Sequence, residues 1–403
     1  MKPRWMRGVL AGLALTLVMA GCGSADDEEG SGGDGSGSGS DAEAGALACS
    51  DTPPDVEGDP VPVKLQLQWS TQSQFAGYFA AVDQGFYEEH GLEVEIVEGG
   101  VDIVPQSQLA EGAVDFALAW VPKALQSRES DANITNISQV FQRSGTLQVA
   151  WADSGIRSVA DLKGKKVGNW GFGNEFELFA GMTQADIDPS KDVELVQQQF
   201  DMQALLNREI DAAQAMTYNE YAQVLEAVDP ATGELYQPDD FTVIDWNRER
   251  TAMLQDAIWA DTERLQSDQE YCDQAVRFVA ASLQGWAYCR DEPDSCVQSV
   301  LDAGSQLGES HQTWQMNEIN KLIWPSPAEG AGTVEAKAWE QTVDIALKTK
   351  NADGSTVLTD LPSDEASTGE INAAAIELLK EADVDVVGAD FEPVEVELRE
   401  GGE

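Results

Sequence analysis

Between positions 61 and 228 the chain switches repeatedly between two spacings of its apolar residues. Residues 63–68 (VKLQLQ) and 92–97 (LEVEIV) alternate apolar and polar side chains, as strands with one buried face do. Between them, residues 75–89 carry the wider spacing of a helix, stopped by the Gly91 that follows His90. A short helix at 104–112 and a strand at 115–119 complete the first unit. After a strand pair near 136–142 and 147–151, the pattern restarts with a short helix, a glycine turn and a strand within 159–169. A helix at 174–184, a strand at 193–196, a helix at 202–208, a strand at 211–216 and a helix at 218–228 follow, and 242–244 leads back. Alternating helical and strand segments with short links predict α/β architecture with mainly parallel sheets. From residue 261 onward the pattern is mostly helical, including an amphipathic helix over 268–289, and the acidic end at 381–403 reads as frayed. Two α/β units joined by crossing segments predict two lobes with a cleft, the usual seat of a small ligand.

The N-terminus does not share these periods. Lys2, Arg4 and Arg7 precede an apolar run over 8–21. That run is shorter than the ~20 residues that span a bilayer, so it reads as a signal peptide. It ends in Met19-Ala20-Gly21-Cys22, a lipobox-like sequence that makes Cys22 the expected lipidation site. The following GSADDEEGSGGDGSGSGSDAEAG has too few apolar side chains to offset ordering and is expected to be a flexible tether. The expected division is residues 1–21 signal peptide, 22–60 lipidated tether, 61–145 first part of lobe 1 and 146–250 lobe 2. The second, mostly helical part of lobe 1 occupies 251–350, and a helical extension with an acidic tail occupies 351–403.

A formal charge of −48 argues against nucleic acid and anionic membrane surfaces as partners, because phosphate neutralisation needs Lys and Arg. It suits an extracytoplasmic protein whose carboxylates are mostly solvated. The four remaining cysteines agree with export. Cys272 and Cys289 lie on one expected helix, about 25 Å apart at 1.5 Å per residue. Cys289–Cys296, closing CRDEPDSC, is therefore favoured, and Cys49–Cys272 follows by elimination. With only His90 and His311 in the chain and no ligand spacing near a cysteine, no metal or cofactor is expected.

The candidate chemistry sits where strands give way to helices, the places where open α/β sheets bind ligands. Trp69 follows the first strand, and Gln74 and Phe75 open a helix in the uncharged stretch QLQWSTQSQFAGYFAA. Tyr78 and Phe79 read as packing of that helix. Trp120 follows the strand at 115–119. Trp170, Gly171, Gly173, Asn174 and Glu175 follow the strand at 166–169, the glycines permitting close backbone approach and Asn174 also reading as a helix cap. Tyr218 and Glu220 follow the strand at 211–216.

Three segments resemble a known family. FAGYFAAVDQGFYEEHGLEVEIVEGG is similar to the start of ABC-transporter solute-binding proteins of the thiamine-pyrimidine-precursor type. These belong to a broader group that includes alkanesulfonate, taurine and nitrate binders. VADLKGKKVGNWGFGNEFEL resembles that family's second-lobe signature, and DAAQAMTYNEY its later ligand-contacting turn. The resemblance covers roughly residues 60–350. It implies a two-lobed, type II periplasmic-binding-protein fold, an ABC permease with its ATPase as partner, and a monomer held at the cell membrane by its lipid. It also matches Tyr218 and Glu220 to positions that stack on and hydrogen-bond a pyrimidine. None of the candidate residues is basic, so a neutral or cationic nitrogen ring fits better than an anion, which needs Lys, Arg or many N–H donors. Lys123 and Arg143 are the nearest residues that would rescue an anion, and a flavin is a further alternative. Relatives that make the thiamine pyrimidine carry clustered cysteines, whereas the cysteines here are dispersed, so a binder is expected rather than a secreted pyrimidine-metabolising enzyme.

Overall fold

Strand β1 (Val61–Gln66) pairs in parallel with β2 (Leu92–Val97) over its whole length, from Val61 opposite Leu92 to Gln66 opposite Val97. Val63 and Leu65 face the core while Lys64 stays outside, where its ammonium lies 3.4 Å from Glu95. The computed structural model describes residues 45–50 and 58–403. The expected signal peptide, Cys22 and most of the expected tether lie outside the described residues.

The described residues form two five-stranded sheets. The first has the order β2-β1-β3-β10-β4, with β3 (Phe116–Trp120), β4 (Ile134–Ser138) and β10 (Asp256–Asp261). The second has the order β7-β6-β8-β5-β9. Its strands are β5 (Thr146–Trp151), β6 (Lys166–Asn169), β7 (Glu194–Gln197), β8 (Ala212–Met216) and β9 (Phe241–Asp245). Four strands of each sheet point the same way, and three of them pair side by side in parallel. The fourth-position strand, β10 or β5, runs antiparallel to both its neighbours. Strands β3, β5 and β8 are buried along their full length, which explains their nearly continuous apolar sequences.

This arrangement corrects one expectation and refines another. The segments at 136–142 and 147–151 do not pair: β4 belongs to the first sheet and β5 to the second, because the chain crosses between lobes in the seven residues that separate them. Each sheet keeps four of its five strands in one direction but is mixed rather than wholly parallel, since it inserts one reversed strand that arrives directly from such a crossing. One of these, β10, was not anticipated at all.

The two crossing segments are stitched together. Asn247 Nδ2 donates to the Ser144 carbonyl at 2.8 Å, and the Gly145 N–H donates to Gln255 Oε1 at 2.8 Å. The buried Glu177 carboxyl accepts from the Met253 N–H at 2.7 Å and from Ser144 Oγ at 2.8 Å, so it ties both crossings to the second lobe.

Helix Gln269–Asp291 packs against helix Ala76–Asp83 at glycine contacts. A Cβ on Gly285 would lie 2.0 Å from the Gly77 carbonyl oxygen, and one on Gly77 would lie 2.3 Å from the Trp286 ring. The expected helix at 75–89 is interrupted at Gly85, whose φ of 78° breaks it into Ala76–Asp83 and Phe86–Glu89. Disulfides join Cys49 to Cys272 and Cys289 to Cys296, with Cα separations of 4.8 and 5.5 Å. The acidic end, expected to fray, is strapped down instead. Val394 N–H donates to Asn317 Oδ1 at 2.9 Å, Gly401 N–H donates to the Glu226 carbonyl at 3.1 Å, and Phe391 packs on the core. Among the described residues no helix is long and apolar enough to cross a membrane.

Candidate functional site

The C-terminal ends of the parallel strands of both sheets open onto one cavity of about 230 Å³. Trp69 follows β1 and Trp120 ends β3; Trp170 follows β6, Phe200 follows β7, and Tyr218 and Glu220 follow β8. Rings from the two lobes meet there. The Phe200 ring centroid lies 4.4 Å from that of Trp69, and 6.0 Å from that of Trp170 with only 14° between those two planes.

The inner end of the cavity is polar and buried. Glu220 Oε2 accepts from the Met216 N–H at 2.9 Å and Oε1 accepts from Asn219 Nδ2 at 3.0 Å. Asn219 Oδ1 in turn lies 2.9 Å from His311 Nε2, and His311 Nδ1 lies 2.9 Å from Glu226 Oε1. On the lobe 1 side, Gln72 Nε2 donates to Gln74 Oε1 at 2.7 Å, Gln74 Nε2 donates to Asp256 Oδ2 at 2.7 Å, and Gln68 Nε2 donates to Asp256 Oδ1. The Trp170 indole N–H is buried with no protein partner.

A family model described as NMT1/THI5 like matches residues 72–296, more than half of the chain. The chain belongs to the NMT1/THI5-like family. A protein of Haemophilus influenzae named for thiamine biosynthesis is 24% identical over 289 residues, covering 70% of this chain and 85% of that protein. The formylaminopyrimidine-binding protein of Halalkalibacterium halodurans is 21% identical over 290 residues, covering 70% of this chain and 83% of that protein. Among solved structures, the periplasmic aliphatic sulphonate binding protein SsuA of Escherichia coli superposes with a TM-score of 0.51 at 14% identity, covering 84% of this chain and 94% of that one. The chain has the two-lobed, type II periplasmic-binding-protein fold of these neighbours.

In this NMT1/THI5-like chain, seven of the residues singled out in the sequence line the cavity: Trp69, Gln74, Trp120, Trp170, Asn174, Tyr218 and Glu220. Four others do not. Phe75 is fully buried and points into the lobe 1 core from the short turn Ser73–Phe75. Gly171 and Gly173 shape the turn after β6, with φ of 73° and 84°. Glu175, not Asn174, occupies the cap position of helix Phe176–Gln184. Asn174 instead accepts from Lys123 Nζ at 3.3 Å and donates to the Gly171 carbonyl at 2.9 Å.

Lys123 lines the cavity, whereas Arg143 turns away and donates to the carbonyls of Lys321, Leu322 and Pro325. Phe200 and Asp256 escaped the sequence reading. Phe200 sits among glutamines in QQQFD, and Asp256 is a lone acid in the apolar run MLQDAIWA, which is the signal that could have found it.

The charges of the site are set by burial. Burial pushes the Glu220 carboxyl up to about 7, against the donors Met216 N–H and Asn219. It pushes Asp256 up to about 7 as well, against Gln74, Trp120, Gln68 and the Lys123 charge. Burial holds the Lys123 ammonium below its usual range, opposed by Glu175 and Asp256. The Glu175 carboxyl is raised by burial, and its Oε2 has no protein partner. Lys123, the one cation among the described residues of the cavity wall, is thus shared among carboxyls. A carboxyl titrating near neutrality can accept from an N–H and donate to a ring nitrogen on the same ligand edge.

Proposed function

We propose that this protein is the extracytoplasmic solute-binding component of an ABC importer and captures a flat, single-ring nitrogen heteroaromatic of the thiamine-pyrimidine-precursor class. The observation that carries the reading is the pairing of Glu220, buried at the inner end of the cavity, with the Trp69–Phe200–Trp170 rings from both lobes. The rings supply faces for a planar ligand. Offset or tilted aromatic contacts of this kind are worth roughly 0.5–1.5 kcal/mol beyond burial. Glu220 reads an edge that carries an amino donor beside a ring nitrogen.

Size and charge argue against the alternatives. A cavity of about 230 Å³ falls below the ~300–1,000 Å³ of sites for drug-sized ligands, so it suits one ring better than a three-ring flavin. A sulfonate or nitrate would meet Lys123 in the company of Glu175 and Asp256, and would have to displace charge already shared with that ammonium.

In the cycle we propose, the ligand enters between the lobes and the stitched crossings at 139–145 and 246–255 act as the hinge. The closed form then docks on a permease driven by an ATPase. Cys22 carries the lipid that holds the protein at the membrane, with residues 23–45 as its tether. The test is to denature protein purified from its native host and identify released small molecules by mass spectrometry. An aminopyrimidine supports the reading; a sulfonate, nitrate or flavin overturns it.

A further inference from the structure

The outer end of the cavity differs in character from the inner end. Seven large apolar side chains are substantially exposed among the described residues, and four of them line this cavity: Val101, Ile103, Val104 and Phe172. Three come from the lobe 1 loop that follows β2, and Phe172 comes from the lobe 2 turn that follows β6. Their exposures of 52%, 39%, 50% and 68% contrast with 3% for Glu220 and 4% for Gln74 at the inner end. Scattered single apolar residues on a surface need no explanation, but this concentration from both sides of one opening does.

The backbone at Phe172 is a second, independent observation. Its φ is 57°, between Gly171 at 73° and Gly173 at 84°. The glycines adopt that conformation freely, whereas a bulky aromatic residue does so against the clash of its Cβ with the backbone. Such outliers persist where the surroundings or a function demand them, and ligand clamps are among the places they collect. The core does not demand this one, since the ring is 68% exposed.

We infer that Phe172 and the Val101–Ile103–Val104 loop are the two lips of the site, closing on an apolar substituent at the ligand's outward edge. The inference rests on the reading of the cavity as a nitrogen-ring site. If Glu220 takes the edge formed by a 4-amino group and N3, the carbon across the ring, directed at the mouth, is C6; it carries only hydrogen in 4-amino-5-hydroxymethyl-2-methylpyrimidine, so the ligand inferred here is a C6-alkyl member of that class and the unsubstituted ring a weaker one. The lips then select a ring bearing an alkyl group there and reject one bearing a carboxylate or phosphate, which would be stripped of water against four apolar side chains.

Calorimetric titration of the full soluble chain with 4-aminopyrimidine, 4-amino-6-propylpyrimidine and 4-aminopyrimidine-6-carboxylate tests this. The propyl compound should bind wild type about tenfold or more tightly than the parent ring, from the methylenes it buries. In Phe172→Gly that gain should vanish, and the double variant V101S/V104S should lose most of it. The Tm of Phe172→Gly should equal or exceed that of wild type, because glycine relieves the left-handed backbone. A propyl gain that survives in Phe172→Gly, or tighter binding of the carboxylate than of the propyl compound, overturns the lips and leaves the ring reading standing. A lowered Tm makes Phe172 a structural residue and overturns them also. Failure of all three compounds to bind wild type removes the ring reading, and the lips with it.

Discussion

Lowering the pH from 7 to 5 should stabilise this protein, although acid usually weakens proteins rich in carboxylates. Three buried carboxyls set the expectation. Burial pushes Glu177 up to about 8, Glu220 up to about 7 and Asp256 up to about 7. In the unfolded chain each ionises near 4. Between about pH 5 and 7 the native state therefore holds protons that the unfolded state has released. Stability falls by about 1.4 kcal/mol per pH unit for each such proton. His90 opposes them: burial holds its imidazole below the ordinary value, so the unfolded chain takes up a proton there first as the pH falls. The carboxyls held low by partners, such as Asp153, Asp161 and Asp188, lose their contribution at still lower pH and do not enter this window. Three protons against at most one leave a net slope on the order of 3 kcal/mol per pH unit near pH 6, and Glu175 and Glu318, also raised by burial, act in the same direction as the three. Urea denaturation at pH 5, 6 and 7 and fixed ionic strength measures it. Glu177→Gln keeps an acceptor for the Met253 N–H and should flatten the slope by about 1.4 kcal/mol per pH unit. Stability that rises from pH 5 to 7, or a Glu177→Gln slope equal to that of wild type, would refute the reasoning.

Other expected outcomes concern the site and the core. Phe200→Ala removes the ring between Trp69 and Trp170 and should weaken binding of an aminopyrimidine by about tenfold, read by calorimetry, with little change in Tm. Asp256→Ala releases Gln68 and Gln74 from their shared acceptor and should lower affinity by about tenfold, measured in the same titration. Gly285→Ala drives a methyl group to 2.0 Å from the Gly77 carbonyl oxygen and should cost about 1–3 kcal/mol, visible as a lower urea midpoint.

Much of the fold was legible because its signal is local. The alternation LEVEIV coincides with β2 from Leu92 to Val97. Trp69, Trp120, Trp170 and Tyr218 each follow or end a strand whose C-terminal end faces the cavity, so placing the strands was enough to place the rings. What escaped depends on partners distant in sequence. Strand β10 is a short apolar run whose neighbours β3 and β4 lie more than a hundred residues earlier, and its period alone does not separate it from a buried helix segment. The segments at 136–142 and 147–151 read as a pair because sequential strands usually pair, yet the link between them leads from one sheet to the other. With β10 unseen, Asp256 could not be connected to Gln68 and Gln74. That connection accounts for two of the four amides of QLQWSTQSQF, Gln68 and Gln74, which a buried carboxyl on the returning strand holds. Phe200 was missed for a similar reason, since its contact with Trp69 joins the two lobes. The tail at 381–403 has the charge of a frayed end, but its backbone finds acceptors on Asn317 and Glu226 that no local pattern announces.

The central claim is that the cavity takes a neutral or cationic nitrogen ring in preference to an anion. Isothermal titration of the purified protein, freed of bound ligand by unfolding and refolding, with 4-amino-5-hydroxymethyl-2-methylpyrimidine and separately with ethanesulfonate tests it most directly. The account predicts saturable binding of the pyrimidine, lost on Glu220→Ala, and no measurable heat with the sulfonate. Saturable sulfonate binding that depends on Lys123, with no response to the pyrimidine, would contradict it.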